Sequence, residues 1–408
     1  MFEKFGPYHV ARMKGAMRFA EILAIESAPH SGTYDWNRPD MPPELRAVAL
    51  TSKAGEERDV SFLEHRIDEV LTAFRPDVVA LSGWAFLADL VALKFCRKNG
   101  IPAICMSETN PWDFVRHPAL EKAKKGIVAH FSAGIATSRS QMAYLIGLGL
   151  PEEAVFSGYN VIDNEFFRSA ASRWRSSSSF APEPARDLPA NSRGRYFLAS
   201  SRFVPKKNLL RLLEAYSIFR ASRDEDPSDW PLVILGDGEQ GAEVESKISQ
   251  LGIGPYVHLP GFLQVEALPQ YYGTAGAFIH ASTTEQWGLV INEAMAAGLP
   301  VAASNRCGAT EYLIETGVSG FAFDPYSVHE IAETMTKLAA FERPGELIDA
   351  ALQSVDRLRP ETFGRALVFA GLVAQEKPAI PGRISAAMLD LAIAVRARKA
   401  SWKPTDCL

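Results

Sequence analysis

Short apolar runs recur through this chain at the spacing of a parallel α/β sheet, and no other feature limits its fold as strongly. In the first half "RFAEILAIES", "LRAVALTS", "DVVALSGW", "IPAICMSE" and "AGIATS" read as strands with helical stretches between them. The second half restarts the rhythm with "RYFLASS", "PLVILGDG", "YVHLPG", "GAFIHAS", "LPVAAS" and "SGFAFDP", with a helix over Leu209 to Phe219. Unbroken apolar runs suit strands buried on both faces by crossover helices. A chain of 408 residues exceeds one core at roughly 150 residues per domain. Two doubly wound α/β domains are expected, at 1–167 and 196–378. Only Met1 to Phe5 precede the first glycine, Gly6, so the first strand is short or lies partly upstream of the recorded start.

The boundary between the halves shows in composition. "RSAASRWRSSSSFAPEPARDLPANSRGR", residues 168–195, is rich in Ser, Pro, Ala and Arg without periodicity, as a linker would be. Residues 379–408 read as a final amphipathic helix, one that can cross back to the first domain. Ile384, Met388, Leu391 and Val395 make its stripe, and Arg396, Arg398, Lys399 and Lys403 gather at its end. This helix suits either packing against the protein, with its cations at a helix C-terminus, or peripheral contact with an anionic membrane surface.

Composition excludes several function classes. Hydrophobic residues at 47% and charged residues at 22% fit a globular enzyme, and a net charge of -5 argues against a nucleic-acid partner. Cys96, Cys105, Cys307 and Cys407 lack the spacing of a disulfide framework or zinc site. The first residues lack the charged start, apolar run and cleavage site of a secretory signal, and no stretch approaches about 18 uninterrupted apolar residues. A cytoplasmic protein is expected, peripheral on the inner face of the membrane if the last helix binds lipid.

Two stretches carry candidate chemistry. In "FIHASTTEQWGLVINEAMAAG" a strand leads into a loop holding Glu285 and Gly288, then into a helix with Glu293 in its first turns and Gly298 at its end. Ligands of such sheets bind where strand C-termini and helix N-termini converge. Amides near Gly288, Leu289 and Val290 would form an anion site, and a carboxylate beside them could accept hydrogen bonds from sugar or ribose hydroxyls. In "SSRFVPKKNLLRLLEAY" a strand ends at Ser201, and Arg202 and Lys207 flank a turn with Pro205, two cations suited to a diphosphate. Ordinary solvated charges would give either pattern alone.

Taken together, "SSRFVPKKN", "LVILGDGE", "LPGFLQVEALPQYYGTAGAFIHASTTEQWGLVINEAMAAGLPVAASNRCGATEYL" and "GVSGFAFDP" resemble the family 4 glycosyltransferases of the GT-B fold, over about 130 residues in the expected order. The resemblance implies two facing Rossmann-like domains holding a nucleoside diphosphate sugar. Glu285 then binds hydroxyls of the donor sugar, Glu293 the nucleotide ribose, Arg202 and Lys207 the diphosphate, the amides of Gly288, Leu289 and Val290 the phosphate, and Phe262 the base. The family commonly has two adjacent glycines where this chain has Cys307 and Gly308. "YNVIDNEFF" is similar to a family segment through Asn160, Asp163 and Phe167. "FGPYHVAR" is similar to the glycine loop after the first strand, which brings Gly6 to the donor phosphate and makes His9 and Arg12 candidates for a donor or acceptor contact. Glu108 falls where many relatives have a catalytic His or Asp.

The activity implied is transfer of a sugar to an acceptor hydroxyl with retention, the departing phosphate taking the acceptor's proton. The acceptor is a glycan, a lipid-linked glycan or a small molecule, with cell-surface polysaccharide or glycolipid synthesis as the setting. No cofactor and no metal is expected: the one D-x-D-like triplet, "DED" at Asp224 to Asp226, follows a helix rather than an apolar strand. A nucleotide-sugar 2-epimerase and a catalytically silent sugar-nucleotide-binding protein share the fold and remain as alternatives. A phosphorylase-like enzyme has no supporting motif for its pyridoxal phosphate.

Overall fold

The computed structural model describes residues 1–30, 36–176, 192–223, 229–341 and 344–398. The chain forms two compact units, Met1–Val161 with the segment from Leu358 onward, and Ile162–Arg357.

The first unit alternates α1 (Pro7–Met17), β1 (Leu23–Glu26), β2 (Arg46–Ala49), α2 (Val60–Phe74), β3 (Val79–Leu81), α3 (Leu87–Asn99), β4 (Ala103–Met106), α4 (Pro118–Val128), β5 (Ala133–Ala136), α5 (Arg139–Gly147) and β6 (Val155–Ser157). β3, β4, β5 and β6 form one parallel sheet in that order, and β1 pairs with β2 in parallel. Ahead of α1, Phe2 bridges Glu26 in parallel and the Met1 nitrogen lies 2.7 Å from the Ala80 carbonyl. The leading residues therefore run between β1 and β3, where the first strand of a doubly wound domain belongs. Every residue of β4 and β5 is buried, which is why both read as unbroken apolar runs. The three-residue strand β6 had no such signal.

Two helices from the end of the chain complete this unit: α14 (Pro360–Glu376) lies on α1, and α15 (Arg383–Arg398) lies on α3 and α4. Glycine permits the first contact. A Cβ at Gly15 would run into the Pro360 carbonyl, and one at Gly364 into the Gly15 carbonyl. On α15 the inward residues are Leu389 and Ile393, with Met388 against Gly126. The remainder of the stripe read from sequence, Ile384, Leu391 and Val395, faces outward. Lys399, Lys403 and Cys407 lie outside the described residues.

The second unit contains α6 (Asn164–Ser176), β7 (Phe197–Ser200), α7 (Leu209–Ala221), β8 (Leu232–Leu235), α8 (Gly241–Leu251), β9 (Val257–Gly261), α9 (Leu268–Thr274), β10 (Ala277–His280), α10 (Leu289–Ala296), β11 (Val301–Ser304), α11 (Gly308–Leu313), β12 (Phe321–Phe323), α12 (Val328–Ala339) and α13 (Pro344–Val355). Its all-parallel sheet runs β12-β11-β10-β7-β8-β9. The strand order therefore reverses where β7 meets β10, the topological switch point at which such sheets bind ligands.

The expected domain limits need correction. Arg168 to Ser176, placed in a linker by composition, continue α6, which packs on α9 and α10. Its buried stripe of Phe167, Ala170 and Ala171 is obscured in the sequence by the Arg and Ser of its outer face. The unit boundaries fall after Val161 and after Arg357, so α14 belongs with the first unit rather than with 196–378. Residues 177–191 of the expected linker, and the acidic triplet Asp224 to Asp226, lie outside the described residues.

Candidate functional site

At the switch point of the second unit the ends of β7 and β10 carry Lys207 and Glu285, and the two form an ion pair with side chains only 12% and 14% exposed. The backbone around them is tied down from both strands. The Thr283 amide donates to the Lys206 carbonyl at 2.9 Å. Asn208, left-handed at φ 60°, spans the loops with its side-chain amide, donating to the carbonyls of Ala281 at 3.0 Å and Pro325 at 2.8 Å. The Glu285 amide donates to the Arg306 carbonyl at 3.1 Å, and Glu285 pairs through its backbone with Cys307. Lys207 is thus aimed by a short 3-10 turn over Pro205–Lys207, and Glu285 by a loop laid against the end of β11.

Beneath the pair lies His280, buried at the end of β10, with Nε2 3.0 Å from Ser282 Oγ and 3.5 Å from Glu285 Oε2. Burial alone would raise the Glu285 carboxyl, but the Lys207 ammonium and the His280 contact outweigh it and hold the group well below the usual range. Burial pushes His280 down, assisted by Lys207 and opposed by Glu285. The site therefore holds a carboxylate, an ammonium and a neutral imidazole near pH 7.

Gly288 opens α10 at φ 97°, a conformation other residues resist, and a Cβ there would stand 3.3 Å from Glu285 Cγ. It turns the chain so that the amides of Leu289 and Val290, which have no acceptor within the helix, sit partly exposed at its start. Arg202 is half-buried after β7, and Phe262 is exposed after Gly261 at the end of β9. Cys307 is extended at φ -109° and buried, so its position does not require glycine. The next one does, because a Cβ at Gly308 would run into the Gln286 carbonyl. Burial and then the Glu285 charge push the Cys307 thiol up, so it stays protonated.

Glu293 is placed differently from the sequence expectation. It is 0% exposed, and its Oε2 accepts a 2.7 Å hydrogen bond from Tyr272. Tyr272 is itself enclosed against Phe167 and Phe278, with ring centroids 5.9 and 5.8 Å away. Glu293 faces α9 from the inner side of α10, where its bond to Tyr272 ties down the helix whose amides open the site.

The first unit carries its own constellation at the C-terminal ends of its strands. Glu108, partly exposed beyond β4, accepts from Asn160 Nδ2 at 2.7 Å and from Arg12 Nη2 at 3.4 Å, while its carbonyl accepts from Gln141 Nε2 at 2.9 Å. Arg12 is buried, with Nε on the Tyr159 carbonyl at 2.7 Å and its guanidinium 4.1 Å over the Tyr159 ring. It holds Glu108 and the chain at Tyr159, and its burial removes it as a direct substrate contact. His9 Nδ1 accepts from the Gly6 amide at 3.0 Å, and burial, then Arg12, pushes the imidazole down to about 3. A neutral His9 so engaged pins the Gly6 turn and is not a proton donor. Asp163 caps α6 through the Phe166 amide at 3.0 Å, and Phe167 is buried in the second unit, so the segment matched by Asn160, Asp163 and Phe167 serves the fold.

Residues 182–351 match the family model described as glycosyl transferases group 1. The matched stretch is less than half of the chain. It takes in β7 to α12 and most of α13, with Lys207, Glu285 and the start of α10 inside it. The chain is similar to O-antigen chain mannosyltransferase B of Escherichia coli, 30% identical over 163 residues, 38% of this chain and 41% of that protein. It is also similar to a GDP-mannose-dependent alpha-(1-6)-phosphatidylinositol monomannoside mannosyltransferase of Mycobacterium tuberculosis, 30% identical over 173 residues, 39% of this chain and 43% of that protein. The chain thus spans about two fifths of the length of these curated relatives.

Solved structures extend the likeness in fold to both units. HepE of Anabaena in complex with UDP superposes with a TM-score of 0.66 at 19% identity, covering 90% of this chain and 97% of that one. Sucrose-phosphate synthase of Thermosynechococcus elongatus gives 0.68 at 16% identity, covering 88% and 90%. The fold is GT-B, built from two Rossmann-like domains.

Within residues 182–351 the structure brings the sequence candidates Lys207, Glu285 and Gly288 together and sets His280, Ser282 and Asn208, which were not candidates, beside them. The strand-end His in "FIHAS" was the available signal for His280. The enclosed position of Glu293 has a measurable consequence. Glu293→Ala breaks a buried hydrogen bond to a carboxylate, worth about 1.5–3 kcal/mol, so the ligand-free protein should unfold at lower urea. An unchanged midpoint, with loss only of nucleotide affinity, would return Glu293 to direct contact.

Proposed function

We propose that the protein is a family 4 glycosyltransferase that moves a sugar, with retention, from a nucleoside diphosphate donor to an acceptor hydroxyl. The observation that carries the reading is the meeting of Lys207, Glu285 and the Gly288-led start of α10 at the β7/β10 switch point, inside the stretch that matches the group 1 model. Lys207, Arg202 and the amides of Gly288, Leu289 and Val290 take the diphosphate, whose charge they offset as it leaves. Glu285, ionised, accepts from donor sugar hydroxyls. The departing phosphate takes the acceptor's proton, so the enclosure of Glu293 does not impair the chemistry. Glu108, held by Asn160 and Arg12, serves the first unit as an acceptor of hydroxyl hydrogen bonds. No metal is needed where fixed cations and amides meet the diphosphate.

The relatives named above are mannosyltransferases of O-antigen and of a phosphatidylinositol mannoside, which supports a glycan or lipid-linked acceptor. The deciding experiment is a thermal-shift panel of UDP-, GDP- and ADP-sugars with a chelator present, followed by assay of nucleoside diphosphate release. One donor should stabilise the protein, by about 2.7 kcal/mol at a hundredfold excess over its Kd, and Lys207→Ala should lose both stabilisation and turnover. Dependence on added metal, or conversion of the donor to an epimer without acceptor, would overturn the reading.

Part of the reading is that the first unit rests on anionic lipid through α15. Ile384, Leu391 and Val395 are 75%, 64% and 46% exposed along one side of this helix. The helix carries Arg383, Arg396 and Arg398, followed in sequence by Lys399 and Lys403, and one acid, Asp390, which pairs with Lys94 at 3.4 Å. No helix among the described residues is long and apolar enough to cross a membrane, so contact would be peripheral, each cation adding about 1 kcal/mol near an anionic surface. The protein should float with phosphatidylglycerol vesicles and not with phosphatidylcholine ones, and Leu391→Glu should abolish flotation. Equal recovery of wild type and variant would contradict the contact.

A further inference from the structure

The cation meant for the diphosphate and the carboxylate meant for the sugar are bound to each other. A diphosphate that draws the Lys207 ammonium onto its own oxygens loosens the lysine's hold on Glu285. The carboxylate left behind is almost enclosed, and a buried charge deprived of its partner is unfavourable unless another group compensates. His280 is that group. It stands 3.5 Å from Glu285 Oε2, and Ser282 Oγ bridges the two, 3.0 Å from the imidazole Nε2 and 3.4 Å from the same carboxylate oxygen.

We propose that His280 is a positioning residue that takes over Glu285 from Lys207 when a diphosphate draws Lys207 away, gaining a proton as it does so. The inference rests on the donor site proposed above and concerns how that site changes hands. Two charged side chains act on the imidazole, Lys207 from the turn after β7 and Glu285 from its own loop. Lys206 acts on Glu285, and Cys307, from the loop after β11, is a protonated thiol beside the pair. On the strand side the ring lies parallel to Phe278, 6.4 Å between centroids and 8° between planes.

The sign of the proton movement follows. With Lys207 in place, burial and the ammonium hold the imidazole neutral. Moving the ammonium onto phosphate removes a repulsive charge and leaves an attractive carboxylate, so the affinity of His280 for a proton rises on binding. Binding coupled to proton uptake strengthens as pH falls. The effect is largest for a nucleoside diphosphate alone. An intact donor brings sugar hydroxyls that themselves donate to Glu285 and reduce the need for the proton.

Calorimetric titration tests this. UDP, GDP and ADP are titrated into the full-length protein near pH 7 in PIPES and in Tris, whose ionisation enthalpies differ. The binding diphosphate should show a buffer-dependent heat corresponding to net proton uptake, with affinity increasing from pH 8 to pH 6. Uptake should be smaller with the matching nucleotide sugar and absent in His280→Gln, which can donate a hydrogen bond but cannot carry the proton. A merely structural histidine would move none of these readouts. Binding with identical heats in both buffers overturns the inference on wild-type protein alone, as does undiminished uptake in His280→Gln. No binding of any of the three diphosphates overturns the donor site and this inference with it.

Discussion

The ion pair of Lys207 with Glu285 governs the rest of the site, because two charges with little solvent around them must be held in register by everything nearby. The 3-10 turn that aims the lysine, the Asn208 side chain that spans three loops, and the left-handed Gly288 that lets α10 begin beside the glutamate all serve that register. Their convergence follows from strand order. β7 and β10 are adjacent only where the winding of the sheet reverses, so the loops that leave them diverge to opposite faces and expose the groups between them.

Support for this site comes from buried residues behind it. Glu293 and Tyr272 join α10 to α9. Arg175, near the end of α6, donates to the Ala297 carbonyl at 2.8 Å and closes the far end of α10. The first unit is organised similarly: Arg12 and Asn160 hold Glu108 from behind while the carboxylate stays partly exposed. In both units the buried polar residues set the positions of the accessible ones.

The strands were legible because a parallel sheet demands continuous apolar runs, and β1 to β5 and β7 to β12 all lie within runs read from the sequence. Lys207, Glu285 and Gly288 were legible for a related reason: each sits at a strand end or helix start, where sequence position and function coincide. Reach was not legible. Glu293, Arg12 and His9 have the chemistry of ligands, but their accessibility depends on neighbours distant in sequence, Tyr272 for the first and Tyr159 for the second. The return of α14 to the first unit was hidden likewise, since its signal is the pairing of Gly15 with Gly364 across most of the chain. The outward stripe of α15 was read correctly as a stripe, but Leu389 and Ile393 anchor the helix from its other side.

The central claim is that a donor diphosphate takes Lys207 from Glu285 at the β7/β10 switch point. A crystal structure with the bound nucleoside diphosphate tests it most directly. Lys207 Nζ should lie about 2.7–2.9 Å from a phosphate oxygen and no longer contact Glu285, with the diphosphate against the amides that open α10. A diphosphate bound elsewhere, with Lys207 still paired to Glu285, would contradict the account.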